Sequence, residues 1–233
     1  MDSSRLGVGV IGAGKIGPVL ASALAGAGHA IVGITSPSED RERVEAMLQA
    51  VPFLTPAEIC ERSELVLLAL PDSELPGFVE GVAATHGWRS GQIVAHTSIA
   101  HGLDALAPAV AQGAIPIGLH PLMEFSGWSM DRTRMAGAWC VVSAPPVASP
   151  IAHALAVEMG LEPLAISEDN RAHVASAVAL ATSFSHTTIE EAASRLRLAG
   201  VANPGVVMAA LVGSSVDNAL RAVSGNEVEQ GQE

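Results

Sequence analysis

The stretch Leu6-Gly7-Val8-Gly9-Val10-Ile11-Gly12-Ala13-Gly14-Lys15-Ile16-Gly17 decides how this chain is read. Its first six residues form an apolar run, the pattern of a short strand buried on both faces. Beyond the glycines, Ile16, Val19, Leu20, Ala23, Leu24 and Ala27 recur at helical spacing, and Gly28 supplies a stop. A second apolar run follows from Ala30 to Thr35. Strand, glycine turn, helix and strand in this order predict the first unit of a dinucleotide-binding fold.

Each glycine has its own task. Gly12 allows a tight exit from the strand, Gly14 lets backbone approach a pyrophosphate, and Gly17 lets the helix pack on the sheet. Phosphates then meet the free N–H groups and the positive end of the helix. The expected cofactor-binding set begins with Gly12, Ala13, Gly14, Lys15, Ile16 and Gly17. The alternative is a glycine turn with a purely structural task.

Working outward, the second run closes on Thr35 and Ser36, where NAD-preferring folds carry a carboxylate for the ribose diol. Two neutral residues tilt the expectation toward NADP, with NAD possible. Ser36 to Arg41 reads as a turn capping a polar helix that runs to about Ala50. Arg41 and Arg43 are either phosphate partners or solvated charges. Thr55-Pro56 opens a short helix. Leu65 to Leu70 is a buried strand ending at Pro71-Asp72, so Leu70 and Pro71 are expected to border the adenosine half. Asp72 either borders it too or caps the next helix.

Gln92 to His96 is a further strand, followed by Thr97 and Ser98, which lie where a strand end meets the nicotinamide or else cap a helix starting near Leu103. Ala114 to Leu119 leads to His120-Pro121, and its internal Pro116 suggests an edge strand or a bulge. Leu122 to Gly137 reads as an irregular loop whose Phe125, Trp128 and Met130 fold over something. Trp139 to Ser143, a helix from about Pro150 to Met159 and a strand from Glu162 to Ile166 complete the sheet. From Glu168 to Ala199 the sequence holds neither proline nor glycine and reads as one helix. Gly200 ends it, Asn203-Pro204 starts a second helix to about Val223, and the tail from Gly225 to Glu233 reads as frayed. The expected fold is α/β: a doubly wound Rossmann-type, mostly parallel sheet over residues 1–166, then a small all-α domain over 167–233 for substrate and dimerisation.

The 233 residues carry a net charge of −12 and one lysine, Lys15. That balance argues against a nucleic-acid surface or a polybasic membrane anchor. Cys60 and Cys140 fit no metal spacing and read as free thiols of a reducing compartment. The start of the chain shows no signal-peptide pattern, and Ala172 to Ile189 reads as a buried helix, so a cytoplasmic protein is expected, without membrane or nucleic-acid partners.

The glycine unit, the Leu65–Leu70 strand with Pro71-Asp72, the His96-Thr97-Ser98 strand end and the Leu119-His120-Pro121-Leu122 segment, followed by helices, resemble the 6-phosphogluconate-dehydrogenase-like superfamily. Within it the likeness is to a group that joins a Rossmann-like NADP-binding domain to a small helical domain of unknown function. Three departures stand out: Ile99 where the group has glycine, Ser36 where it often has arginine, and a shorter helical part.

The resemblance implies a nicotinamide-dependent oxidoreductase acting on a small polar metabolite, a hydroxy acid or imine. Sugar-acid dehydrogenases of the superfamily use a lysine on the second domain, and this chain has none there. Prephenate dehydrogenases, by likeness of the His-Pro pair, point to His120 as acid/base, with a structural histidine as the alternative. Ser98 and His173 complete the catalytic candidates, the latter at the start of the long helix. Thr97 and Ser98 join the cofactor set. No metal is expected, since the spacings of His96, His101, His120 and His173 match no zinc signature. A deazaflavin-linked NADP reductase is a variant of this reading. A nucleotide-sensing protein that kept the fold and lost catalysis is the second reading. A homodimer through the two C-terminal helices is expected from apolar residues on more than one helical face.

Overall fold

The computed structural model describes residues 5–37 and 40–225. The expectations for residues 1–4, for Ser38 and Glu39 and for the tail 226–233 lie outside the described residues. The chain divides into two compact units, residues 1–177 and 178–233.

All seven apolar runs form strands: β1 (Gly7–Ile11), β2 (Ala30–Ile34), β3 (Leu65–Leu68), β4 (Ile93–His96), β5 (Ile115–Pro121), β6 (Trp139–Ser143) and β7 (Glu162–Ala165). They join one sheet in the order β2-β1-β3-β4-β5-β6-β7, parallel throughout except between β5 and β6. Helices cover both faces. On one, α1 (Gly17–Gly26), α2 (Arg41–Met47) and α7 (Ser149–Glu158) bury Leu20, Leu24, Val44 and Leu155 against Val10, Leu67, Ala95 and Val142. On the other, α3 (Pro56–Arg62), α4 (Leu75–Ala84) and α5 (Ala107–Val110) bury Ile59, Val79 and Ala109 against Ile11, Val66 and Val94. Thr55 starts α3 with a reciprocal capping box to Glu58 and Pro56 at its first position. Strand order reverses at β1, whose neighbours are β2 and β3, so a crevice opens beyond the carboxyl ends of these strands.

Several expectations are corrected. Pro116 sits in β5 between β4 and β6, so it marks neither an edge strand nor a bulge. Ile115 donates its N–H toward β4, which turns the next nitrogen toward β6, and the β6 ladder begins only at Gly118. The missing donor of Pro116 therefore costs no ladder bond. Residues 130–135 form a short helix, α6 (Met130–Met135), rather than loop. The carboxylate of Asp131 accepts the N–H groups of Ser126 and Gly127 and the Ser126 hydroxyl, which folds this segment on itself. Asp72 does not cap α4, whose preceding residue is Glu74.

The second unit contains most of α8 (Arg171–Leu198) and α9 (Pro204–Gly225). At 28 residues, α8 extends about 42 Å. The expectation of a buried helix over Ala172–Ile189 is corrected, because α8 is exposed along most of its length and Ala193 is a rare buried position. Two helices alone cannot cover each other's outer faces. Leu211, Leu220 and Val223 of α9 are exposed as well. By length and composition α9 is long and apolar enough to cross a membrane, with 6% of that window buried.

The glycine at the start of α1 has no room to give. A Cβ on Gly17 would stand 2.1 Å from the carbonyl oxygen of Gly12, a backbone atom that cannot move aside. A Cβ on Gly77, inside α4, would meet nothing within 4 Å. Gly17→Ala is therefore expected to destabilise by roughly 2–4 kcal/mol, whereas Gly77→Ala stabilises by about 0.5–1 kcal/mol. Urea unfolding of both variants checks this, and equal effects would contradict it.

Candidate nucleotide site and adjoining histidine cluster

At the end of β1, Gly12 takes φ +109°. A Cβ there would lie 2.3 Å from the Ala69 carbonyl oxygen, so only glycine lets β1 turn this close to β3. The Gly12 N–H donates to the Thr35 hydroxyl oxygen at 2.9 Å. The neutral residue closing β2 thus holds the glycine turn. Ala13 is buried, while Gly14 and Lys15 are exposed ahead of α1.

A cavity of about 610 Å³ adjoins this turn, within the size range of ligand sites. It brings together Gly12, Ala13, Gly14, Thr35, Ser36, Leu70 and Pro71, all named from the sequence. Lys15, Ile16 and Gly17 continue the turn into α1 but do not line the cavity. Arg41 lines it too, its guanidinium 4.9 Å from the centroid of the Phe53 ring. Among the described lining residues Arg41 is the only cation. Arg43 is committed elsewhere: it donates to the carbonyls of Ala13, Gly14 and Gly127 and pairs with Asp40. Phe53 was missed by sequence reasoning. Its signal was the apolar Val51-Pro52-Phe53-Leu54 run, which pairs along β2 through Ile34.

The second group of candidates lies beyond β4 and β5. Thr97 and Ser98 are buried, at 4% and 6% exposure. The Ser98 hydroxyl oxygen accepts the N–H of His101 and so caps a local turn, not the helical turn at Leu103–Leu106. His101 Nε2 donates to the Asp72 carbonyl at 2.8 Å. His120 Nδ1 donates to the Thr97 carbonyl. A carbonyl only accepts, so Nδ1 carries the proton and Nε2 presents a lone pair. Burial holds the His120 imidazole below its ordinary range, with Arg171 adding to this and the Thr97 carbonyl and Asp72 opposing it. At neutral pH it is a neutral base rather than a proton donor. His173 stands apart, exposed near the start of α8.

Two residues here, Arg171 and Glu168, escaped the sequence reading. Arg171, buried, donates to the Ser143 hydroxyl and forms a two-point pair with Glu168 at 2.8 and 2.7 Å. Their signal was a Glu-x-x-Arg spacing at a helix start. Beside them His96 is fully buried, and neither ring nitrogen has a hydrogen-bond partner. Gly118 lies beside it on β5: a Cβ there would crowd the Ser143 Cβ at 3.3 Å and reach ordinary contact with His96 Nε2 at 3.6 Å. Burial first, then the charges of Arg171 and the neighbouring histidines, push His96 down to about 4. Among the described residues no group of three or more His, Cys, Asp or Glu side chains could hold a metal ion. Burial pushes the Cys60 and Cys140 thiols up to about 11 and about 12, so neither is a thiolate nucleophile at neutral pH.

The Rossmann-like domain family matches residues 1–121, and a domain of unknown function, DUF2520, matches residues 138–227. No curated protein matches the chain. Among solved structures, it is similar to a protein described as an NADP oxidoreductase from Bacteroides fragilis, at 18% identity and TM-score 0.75, covering 92% of this chain and 80% of that one. An imine reductase from a Pseudomonas species is similar at 15% identity and TM-score 0.68, covering 97% and 79%. Pyrroline carboxylate reductase of Plasmodium falciparum, with NADP bound, is similar at 10% identity and TM-score 0.65, covering 94% and 79%. At such identities the likeness is one of fold.

The buried His96 gives stability a pH dependence of definite sign. Its folded value of about 4 lies below the ordinary 6.5, so the unfolded chain binds a proton first as pH falls. The stabilising contribution is complete above pH 6.5 and is lost as pH drops toward 4. It amounts to about 2 kcal/mol between pH 7 and 5. Denaturant unfolding at these two pH values should show a smaller loss in His96→Leu than in the wild type. Equal losses would contradict the assignment.

Proposed function

We propose, on the premise that this chain belongs to the Rossmann-like domain family and carries a DUF2520 domain after it, that it is an NAD(P)-dependent oxidoreductase. Its substrate is a small polar metabolite of the hydroxy-acid or imine class. One observation carries the cofactor half of this reading: a glycine turn, a neutral strand end and a ring-stacked arginine share one cavity. Exposed N–H groups before α1 suit a pyrophosphate. Thr35 in place of a carboxylate, with Arg41 nearby, suits a ribose 2′-phosphate, so NADP is preferred and NAD is possible. The NADP-bound reductase of similar fold supports the same choice.

Bound nicotinamide supplies the hydride chemistry. The residues proposed to meet it are Thr97, Ser98 and His120. During oxidation of an alcohol or amine, the Nε2 lone pair of His120 takes the proton as hydride leaves for the cofactor. In the reverse direction the protonated imidazole returns it. With its proton affinity lowered by burial, His120 favours oxidation at neutral and higher pH, and reduction accelerates as pH falls. Ser98 is proposed to orient substrate after a local rearrangement, and His173 to contribute from α8. The helical part, residues 167–233, is proposed as the substrate and dimerisation domain. A homodimer would cover the exposed apolar residues of α8 and α9. A cytoplasmic setting, without membrane or nucleic-acid partners, completes the reading and accords with two buried free thiols.

The burial of Ser98, with its hydroxyl spent on His101, favours one second reading: a nucleotide-sensing protein with little catalysis. Titration and assay separate the two. Wild-type protein is expected to bind NADPH more tightly than NADH, and Arg41→Ala to weaken NADPH at least tenfold, about 1.4 kcal/mol, with NADH nearly unchanged. Parallel losses for both cofactors would remove Arg41 from 2′-phosphate recognition. In a panel of 2-hydroxy acids and imines, His120→Ala should lower turnover by about 10²–10⁴ while NADPH affinity holds. Binding without turnover on any panel member would favour the sensor. Light scattering after size exclusion should give twice the 23.7 kDa chain mass, and a monomer would refute the dimer.

A further inference from the structure

Arg43 hydrogen-bonds two carbonyls of the glycine turn, yet it does not line the cavity. Its Nη1 donates to the carbonyls of Gly14 and Gly127 and its Nη2 to the carbonyl of Ala13, while Asp40 holds Nη2 at 2.7 Å. Gly127 is fixed in turn, because its N–H and that of Ser126 donate to the fully buried Asp131 carboxylate at 2.7 and 2.8 Å. A side chain at 127 would strike Arg43 Nη1 at 3.1 Å and Lys15 Cα at 3.2 Å, so the segment lies directly against the turn.

Peptide geometry gives these bonds a consequence. In a trans peptide the carbonyl points opposite to the N–H of the next residue. Holding the Ala13 and Gly14 carbonyls on Arg43 therefore aims the N–H groups of Gly14 and Lys15 away from it. No hydrogen bond to another described residue uses either N–H. Without the guanidinium, each of these peptide planes could rotate and point its carbonyl where an anion must sit.

We infer that Arg43 is a positioning residue: it orients the amides of Gly14 and Lys15 toward a dinucleotide pyrophosphate and ties that turn, through Gly127, to the Asp131-capped segment. The inference rests on the proposed cofactor reading. It also separates two neighbouring arginines by task, with Arg41 facing the ligand and Arg43 holding the backbone that faces it. Lysine cannot replace Arg43 fully, since its single ammonium lacks the planar fork that reaches several carbonyls at once.

The experiment compares wild type, Arg43→Met and Arg43→Lys with two probes. NADPH carries the pyrophosphate, and 2′-AMP carries only the adenosine and 2′-phosphate proposed to meet Arg41 and Phe53. Arg43→Met should weaken NADPH tenfold or more and 2′-AMP less than twofold, with Arg43→Lys between. Equal weakening of both probes marks a merely structural role and overturns the inference, as does unchanged NADPH affinity. Hydrogen exchange without ligand is the second arm: Arg43→Met should accelerate exchange of the Ser126 and Gly127 amides, which are bonded to Asp131, and unaltered rates would overturn the inference. If wild-type protein binds neither probe, the cofactor reading falls and the exchange arm alone judges the Arg43 tether.

Discussion

Where β1 ends, the chain passes so close to β3 that no side chain fits between them. Gly12, at positive φ, lies against the Ala69 carbonyl, and Gly17 lies against the Gly12 carbonyl. This double approach lets α1 start immediately beyond the sheet and cross back over β1 toward β2. The reversal of strand order at β1, the crevice beyond it and the exposed amides before α1 all follow from that one contact. The surrounding residues then stabilise the turn from outside: Thr35 takes the Gly12 N–H, and Arg43 takes the next two carbonyls.

The two halves of the candidate site differ in electrostatics. Around the glycine turn the polar groups are solvent-accessible, and Arg41 supplies the one positive charge among the described lining residues. Beyond β4 and β5, by contrast, histidines are packed beside a buried arginine, and that environment keeps His96 and His120 neutral. Glu168 and Ser143 satisfy the Arg171 guanidinium there. The first half offers an anion free amides and one guanidinium, on a wall that also carries Asp40, paired with Arg43, and Glu58 and Glu74. The second suits a proton acceptor.

Much of this was legible in the sequence because buried parallel strands leave nearly continuous apolar runs. Leu65–Leu68 and Val8–Ile11 are examples, whereas β7, at the sheet edge with no buried residue, was read from a weaker pattern. The glycine spacing marked the turn for the same reason: backbone approach leaves a residue-type signature. What stayed hidden depends on contacts distant in sequence. Nothing local distinguishes Arg43 from Arg41, because the partners of Arg43 come from residues 13, 14 and 127. Pro116 looked like an edge because the register of β6 is invisible in one strand's sequence. Residues 130–135 read as loop because Asp131, the buried carboxylate organising the segment, sits inside a run that is otherwise polar. His96 showed no sign that its ring nitrogens lack partners, because its surroundings come from β5, through Gly118, and from Arg171.

The central claim is that the turn from Gly12 to Gly17 is the anion-binding half of a dinucleotide site. Amide NMR during an NADPH titration tests it most directly. The account predicts saturable downfield shifts of the Gly14 and Lys15 amide protons, with smaller changes around Arg41 and Phe53 and none along α4. Shifts confined to other segments, with the Gly14 and Lys15 amides unmoved at saturation, would contradict it.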